Sequence, residues 1–269
     1  MSLPLTVIIP ANNEAEQLPA TLRSVSWAAQ VVVVDSFSTD ATKTIAEAHG
    51  AVVWQHAYEG PAAQKNWAIP RAQHEWVFLL DADERVSPTL QSEIRSLLSS
   101  NSKTLADAYW IGRQNFFLGQ RVRYSGWQND RVVRLIRRDR CQYANTHVHE
   151  EIDLRGLTVG HLRGKLDHYT YRSFQHYVDR VRRYAELSAL DYLPRTPRVG
   201  WFHLWLKPLF RFFKHFVLRG GILDGRVGFI ISSLMAYGVF LRYVKILDLR
   251  EYSGSEHVER EPTTSSRKL

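Results

Sequence analysis

"WVFLLDADERVSP" spans Trp76–Pro88 and sets five apolar residues directly ahead of three acidic ones, Asp81, Asp83 and Glu84. A short, unbroken apolar run reads as a strand buried on both faces. Ser87 and Pro88 then read as the N-cap and first position of a helix. Buried strands seldom end in clustered like charge for stability's sake, so these carboxylates point to something they hold.

Working outward, two more runs have the same form. "LTVIIP" (Leu5–Pro10) is β-branched and ends at proline, and "QVVVVDS" (Gln30–Ser36) carries Asp35 at its end. Each precedes a helical pattern. In the first, Leu18, Leu22 and Val25 recur at helical spacing, with Pro19 suited only to the first turn. In the second, "STDATKTIAEAHG", Ser38 or Thr39 can cap the start, Ile45 and Ala48 share a face, and Gly50 suits the C-terminal end. "AVVWQH" reads as a third strand and "PAAQKNWAIPRA" as a short helix. Alternating strands and helices predict an α/β, Rossmann-like, mostly parallel sheet covered on both faces. Such sheets bind ligands beyond the carboxyl ends of their strands. Pro10–Asn13, Asp35–Ser38 and Asp81–Asp83 all fall there.

The middle of the chain is more antiparallel in pattern. "AYWIGRQNFFLG" and "RVVRLIRR" alternate bulky and polar residues. "DHYTYRSFQHYVDRVRRYAELSALDYL" reads as a long amphipathic helix, its apolar positions including Phe174, Tyr177, Val178, Val181, Tyr184 and Leu187. In "WFHLWLKPLFRFFKHFVLRGG", Lys207, Arg211 and Lys214 share one helical face among Trp, Phe and Leu. Pro208 starts or kinks that helix, and Gly220 and Gly221 allow a turn. Val227–Leu241 is uncharged but short for a membrane span.

The 269 residues are 45% hydrophobic, enough for a sizeable core, and carry a net charge of +8. The charge is uneven: −5 over residues 1–100, +6 over 101–194, +8 over 195–250 and −1 in the tail. A basic segment rich in Trp and Phe is suited to an anionic membrane interface. Nucleic acid would tolerate the same imbalance, but no nucleic-acid partner is expected. The lone Cys141 excludes an internal disulfide and fits a reducing compartment. The N-terminal run lacks a basic flank and reads as a core strand, not a leader.

No G-x-G-x-x-G follows the first strand and no Walker loop appears, so neither a dinucleotide fingerprint nor a Walker phosphate cradle is present; the strand-end edge is instead acidic. An acidic edge takes an anionic ligand only with a divalent cation between them. On a strand, Asp81 and Asp83 at i, i+2 would face one side. One can take Mg²⁺ or Mn²⁺ and the other a sugar hydroxyl, the ion then stabilising departure of a diphosphate.

"VIIPANNEA", "VVVVDSFSTDAT", "GPAAQKNWAI" and "WVFLLDADERVSP", in this order and spacing, resemble the inverting family-2 glycosyltransferases of the GT-A fold. "GWQNDRVVRLIRRDRCQYANTHVHEEI" and "GGILDGRVGFIISSLMAYGVFLRYVKIL" are similar to a bacterial subgroup that includes lipopolysaccharide-core sugar transferases. The resemblance implies a nucleotide-diphosphate sugar donor, an inverting transfer and a divalent metal. It places Pro10, Ala11, Asn13 and Glu14 along the nucleotide pocket, with Asp35 reading the base and Lys65 near the nucleotide. Asp81 then lies near the ribose and Asp83 on the metal. From residues alone, Asn13 could equally cap a helix, Asp35 a turn toward Ser38, and Lys65 could be an exposed helix residue.

An inverting transfer needs a carboxylate to deprotonate the acceptor hydroxyl. Candidates are Glu150, which is favoured, Glu151 and Asp130, with His149 a second metal ligand or an orienting group. "HVHEEID" is not H-E-x-x-H, which argues against a zinc hydrolase. Arg131, Arg134, Arg137 and Arg138 could meet the diphosphate or an anionic acceptor, or could form a solvated strand face. His168 reads more readily as a satisfied structural histidine than as an acceptor-site group.

The expected organisation is a catalytic domain over 1–195, with a nucleotide-sugar half (1–100) and an acceptor half (101–195). A basic-aromatic helical region (196–250), expected to associate with membrane, and a disordered tail (251–269) follow. The acceptor is expected to be lipid-linked or saccharide, and the protein to work at the cytoplasmic face of the plasma membrane. A sugar nucleotidyltransferase or a non-catalytic membrane-binding module are the alternatives.

Overall fold

The computed structural model describes residues 2–100, 105–144, 151–171 and 174–258, the last seven as backbone only. It divides into two units. Unit 1 comprises residues 1–116 and 129–170, and unit 2 comprises 117–128 and 171–269.

Unit 1 is built on the four expected strands. β1 (Leu3–Ala11), β2 (Ala28–Asp35), β3 (Val52–Gln55) and β4 (Trp76–Leu79) lie in the order β3-β2-β1-β4, all parallel. Side chains alternate across the sheet, and both faces are covered. Val7, Ile9, Phe78 and Leu80 enter one buried cluster with Leu18 and Leu22 of α1 (Leu18–Ser24). Ile8, Val34, Val77 and Leu79 enter the other, with Ala62 and Ala68 of α3 (Pro61–Ala68). This two-sided burial explains why the strands read as unbroken apolar runs. Pro19 sits in the first turn of α1, and Ser87 caps α4 (Pro88–Ser99), its side chain accepting from Leu90 N at 3.3 Å.

α2 (Thr42–Ala48) departs from expectation. Its buried residues are Thr42 and Ala46, with Ala48 exposed, and neither Ser38 nor Thr39 caps it. Asp40 instead accepts from Thr42 N at 2.9 Å. Ser38 and Thr39 are drawn into bonds with the loop after β1, described below.

The sheet continues past β4 with β8 (Arg131–Arg137, antiparallel), β6 (Ala108–Phe117) and β9 (Val159–His168, parallel to β6). The short β5 (Glu84–Val86) then pairs antiparallel with β9. These directions bring the start of β8 and the ends of β6 and β9 to the same edge as the ends of β1, β2 and β4. α4 lies close on β9 because Gly164 has no side chain: a Cβ there would stand 2.4 Å from Leu90 Cα.

Unit 2 contains β7 (Gln120–Val122), α5 (Phe174–Tyr192), α6 (Lys207–Phe213) and the 34-residue α7 (Gly225–Val258). The expected boundary at 195 differs from this division, because α5 clusters with the C-terminal helices. The loop 117–128 is tied in by Asp224, which accepts from Arg123 N (2.9 Å), Tyr124 N (3.0 Å) and Ser125 Oγ (2.7 Å). The buried face of α5 is Tyr177, Ala185 and Ala189, whereas Phe174, Tyr184 and Leu187 are exposed. α6 is flanked by π-helical turns at Phe202–Leu206 and Lys214–Leu218. Pro208, with no N–H to donate, lies at the start of α6 and is consistent with the first of these irregularities. α7 runs to Val258, into the stretch expected to be disordered; residues 259–269 lie outside the described residues.

Candidate active site

The turn after β4 decides the site. β4 ends at Leu79, so Asp81 and Asp83 stand on a turn and not on a strand, and the i, i+2 rule of a strand does not govern them. The turn is closed by Glu84 N donating to Asp81 O (2.9 Å) and Asp81 N donating to Glu84 Oε2 (3.1 Å). Ala82, buried between the aspartates, accepts from Thr21 Oγ1 of α1 at 2.6 Å.

The three acids have separate environments. Asp81 is paired with Lys65 Nζ of α3 at 3.2 Å and with the Arg134 guanidinium of β8. Burial alone would raise its pKa, but Arg134 and then Lys65 outweigh that and hold the carboxyl far below the usual range. Glu84, fully buried, neither faces water nor joins Asp83. Its Oε1 takes Arg134 Nη2 at 2.8 Å and Arg113 Nη1 at 3.5 Å. Asp83 is the open member. Its ion contact is His168 Nε2 at 3.6 Å, and its backbone carbonyl accepts from Tyr169 N at 2.9 Å.

A chain of bonds links these groups along the sheet edge. Arg113 of β6 forms a two-pronged pair with Asp130, at 2.7 and 3.0 Å. Asn115, two residues along β6, donates Nδ2–H to the same carboxylate at 2.9 Å, and its Oδ1 accepts from His168 Nδ1 at 2.7 Å. Asp130 is thereby a poor base: burial would raise its pKa, but Arg113 and then Asn115 bring it below the usual range. His168 is satisfied, as read from the sequence, with Thr170 Oγ1 2.8 Å from Nε2. Arg137 and Arg138 pair with the exposed Glu75 and Asp139 and face outward.

Both depressed carboxyls make the same prediction. A group whose folded pKa lies below its unfolded value of about 4 stabilises the fold fully above that value. That contribution is lost as pH falls from there through the folded values. Asp130→Asn should therefore cost about 1–2 kcal/mol at pH 7. Its gap from wild type should narrow progressively as pH falls below about 4, read from urea unfolding at each pH.

The loops after β1 and β2 are locked together. Asn13 has φ of 56°, a left-handed conformation that asparagine tolerates. Its Oδ1 accepts from Thr39 N (2.9 Å), Thr39 Oγ1 (3.2 Å) and Asp40 N (3.3 Å), and its N–H donates to Ser38 Oγ (2.9 Å). Glu14 N donates to Thr42 Oγ1 at 2.8 Å. Asp35, fully buried at the end of β2 and in register with Ala11, accepts from Ser38 N (3.2 Å) and Gln55 Nε2 (3.2 Å). Pro10 and Ala11 close β1 beside it.

The structure thus brings Pro10, Ala11, Asn13, Glu14, Asp35, Lys65, Asp81 and Asp83 to one sheet edge. Glu151 is exposed and lines a cavity of about 360 Å³ with Arg113, Arg131, Arg134 and Tyr143. Glu150, His147 and His149 lie outside the described residues. No group of three metal-ligating side chains occurs among the described residues. Magnesium and manganese sites need none, since one or two carboxylates with substrate phosphates suffice. The open Asp83 fits that pattern. Sequence reading named Arg134, as a contact to the diphosphate or acceptor and not as the partner of Asp81 and Glu84; it missed Arg113 and Asn115, whose i, i+2 spacing on β6 is the one signal that they share a face.

Two neighbouring strand ends, β2 with Asp35 and β4 with Asp81 and Asp83 beyond it, on a mixed sheet with a parallel half fit a GT-A glycosyltransferase architecture. Residues 6–151 match Glycosyl transferase family 2, and the chain belongs to that family. The lipopolysaccharide core biosynthesis glycosyltransferase LpsC of Rhizobium meliloti is 29% identical over 251 residues, covering 91% of this chain and 92% of its own. An uncharacterized glycosyltransferase of Rickettsia prowazekii, RP128, is 28% identical over 255 residues, covering 91% and 87%. Among solved structures, S. aureus TarS 1-349 in complex with UDP-GlcNAc covers 94% of this chain and 92% of its own, at 14% identity and a TM-score of 0.48. Family membership sets the nucleotidyltransferase reading aside.

Proposed function

We propose that unit 1 transfers a sugar from a nucleotide-diphosphate donor to a hydroxyl of a lipid-linked saccharide, inverting the anomeric centre. The observation that carries this is the convergence of Asp35, Lys65, Asp81 and Asp83 on one sheet edge. The acceptor oxygen forms a bond to the anomeric carbon as the bond to the diphosphate oxygen breaks, and the leaving diphosphate keeps the electron pair. The hydroxyl proton passes to a carboxylate. Glu150 is the base we favour, with Glu151 one residue on as its alternate; Asp130 is disfavoured by its pairing with Arg113. Asp35 would bind the base of the nucleotide, beside Asn13 and Glu14, and Asp81, fixed by Lys65 and Arg134, the ribose. Asp83, with His149, would hold Mg²⁺ or Mn²⁺, which as a Lewis acid neutralises charge on the departing diphosphate.

A lipopolysaccharide-core acceptor is supported by the likeness to LpsC. Unit 2 supports action at the membrane. Trp201, Trp205, Leu209 and Phe210 are each more than 60% exposed, beside Lys207, Arg211 and Lys214. Aromatic side chains next to lysine and arginine suit an anionic lipid interface. The segment Gly221–Glu251 is long and apolar enough to cross a membrane by length and composition, with mean hydropathy 1.6. About a third of that apolar stretch is buried, Val227, Ile231, Val239, Tyr243 and Ile246 packing within unit 2 while Phe229, Phe240 and Val244 are exposed; peripheral attachment at the cytoplasmic face of the plasma membrane is the reading we favour.

Purified protein offered a panel of nucleotide sugars should release nucleoside diphosphate with one of them, and only with Mn²⁺ or Mg²⁺ present. Release with none, or at the same rate in chelator, would count against the reading. Glu150→Gln should keep donor binding and lose transfer. Flotation with anionic vesicles should fall about tenfold or more when Trp201, Trp205 and Phe210 are all changed to serine. Unchanged flotation would remove this surface from the proposal.

A further inference from the structure

In unit 1, the loop between β2 and α2 holds a phenylalanine where glycine would fit best. Phe37 has φ of 55°, in the left-handed region, and is 59% exposed. A β-carbon is crowded in that conformation, which glycine adopts freely. A lone exposed phenylalanine needs no explanation, but one held at a positive φ does. Asn13, on the loop after β1, has nearly the same φ, but its side chain takes three hydrogen bonds there. Phe37 has no such compensation: among the described residues no aromatic ring or cation stacks on it.

Its neighbours hold the strain in place. Ser36 N donates to Ala11 O (2.9 Å), its carbonyl accepts from Asn12 Nδ2 (2.8 Å), and its Oγ accepts from Gln64 Nε2 (2.9 Å). Ser38 N donates to Asp35 (3.2 Å), and Ser38 Oγ accepts from Asn13 N (2.9 Å). The ring therefore stands on backbone fixed at both sides, and little freedom is lost when a ligand meets it. Asp35, two residues earlier, is fully buried, so Phe37 is the large side chain that the end of β2 presents to solvent. In the sheet β1 alone separates β2 from β4, which sets this strand end about 10 Å from the "DAD" turn. A nucleotide whose diphosphate meets a cation at Asp83 has room for its ribose over that distance and reaches the end of β2 with its base.

We propose that Phe37 stacks against the base of the donor nucleotide, a contact that offsets the strain and the exposure together. The inference rests on the reading that unit 1 takes a nucleotide-diphosphate sugar with its base at the end of β2. Every base has a π face, and base–aromatic stacking tolerates all of them. Phe37 thus supplies affinity and fixes the plane of the base, while choice among bases falls to hydrogen-bonding groups at its edge.

The full-length protein with Mn²⁺ would be titrated calorimetrically with UDP, CDP, GDP and ADP, and with inorganic pyrophosphate, which has a diphosphate and no base. Phe37→Gly is expected to raise the melting temperature by about 2 °C, by relieving strain, yet weaken the best-bound nucleotide about tenfold. A purely structural phenylalanine would not produce that opposition. Phe37→Leu keeps the β-carbon and apolar bulk without the π face and should weaken binding nearly as much, whereas Phe37→Trp should bind at least as tightly as wild type. Pyrophosphate affinity should be the same in all these proteins. Wild-type nucleotide affinity in Phe37→Gly or Phe37→Leu overturns the stack. So does an equal loss of pyrophosphate affinity, which would show that the residue acts through the shape of the loop. Failure of the wild-type protein to bind any of the four nucleotides would overturn the donor reading and this inference with it, whereas equal binding by wild type and Phe37→Gly overturns this inference alone.

Discussion

Asp83→Ala is expected to lower sugar transfer about a hundredfold or more while leaving the melting temperature within about 3 °C of wild type. The two halves of that expectation come from different observations. Asp83 is the acid of the turn that no short ion pair with lysine or arginine claims, its nearest basic side chain being His168, with Nε2 at 3.6 Å. Its structural contribution is made by the backbone, whose carbonyl accepts from Tyr169 N at 2.9 Å, and alanine keeps that bond. If the side chain holds a divalent ion against the diphosphate, its removal takes away several kcal/mol of charge stabilisation in the transition state. Steady-state transfer across a Mn²⁺ titration checks this. Activity equal to wild type would move the metal to other ligands, and activity restored at high Mn²⁺ would show a weakened ligand set.

Glu84→Ala should do the opposite, destabilising the fold by about 3–5 kcal/mol. Glu84 is fully buried and pairs with Arg134, itself 4% exposed, and with Arg113. Truncation leaves a buried guanidinium short of its counter-ion, and desolvated charge left unpaired is among the largest penalties a single substitution can impose. Asp81 still pairs with Arg134 and Asp130 with Arg113, which keeps the loss from being larger. The turn would also lose the bond from Asp81 N to Glu84 Oε2. Urea unfolding of Glu84→Ala and Glu84→Gln checks the argument. Glutamine should recover part of the loss by retaining hydrogen bonds without charge, and a loss below about 1 kcal/mol in the alanine variant would show that Arg134 finds another partner.

These two expectations separate acids that look alike in sequence. In "DADE" the three carboxylates differ only in order, and no spacing rule tells a metal ligand from a buried anchor. The difference arises where β8 and β6 deliver Arg134 and Arg113, residues 50 and 29 positions away from Glu84. Charge at a distance of that kind is set by strand order, which local pattern does not encode. The same holds for Asp130. Its place in "QNDR" left it open as a base, and the two-pronged bond to Arg113 makes it a weak one.

The sequence alone determined the parallel core. Its strands are unbroken apolar runs because both faces are buried, and Pro19, Pro61, Ser87 and Pro88 mark helix starts by local backbone chemistry that needs no distant partner. It also placed Asp35 and "DAD" at one edge, since ligands of such sheets lie past the strand ends; Lys65, on a helix, was placed there only by the family resemblance. Tertiary structure decided the rest. It exposed Phe174, Tyr184 and Leu187 of α5 while burying Ala185 and Ala189, because α7 packs closely enough to require small residues. It joined α5 to the C-terminal helices and not to the domain before it. For "FLLDADERVSP", sequence established that a buried strand carries acids to a ligand edge. Only the packing of β6 and β8 decided that Glu84 anchors two arginines, that Asp81 is already neutralised, and that Asp83 is left open to bind.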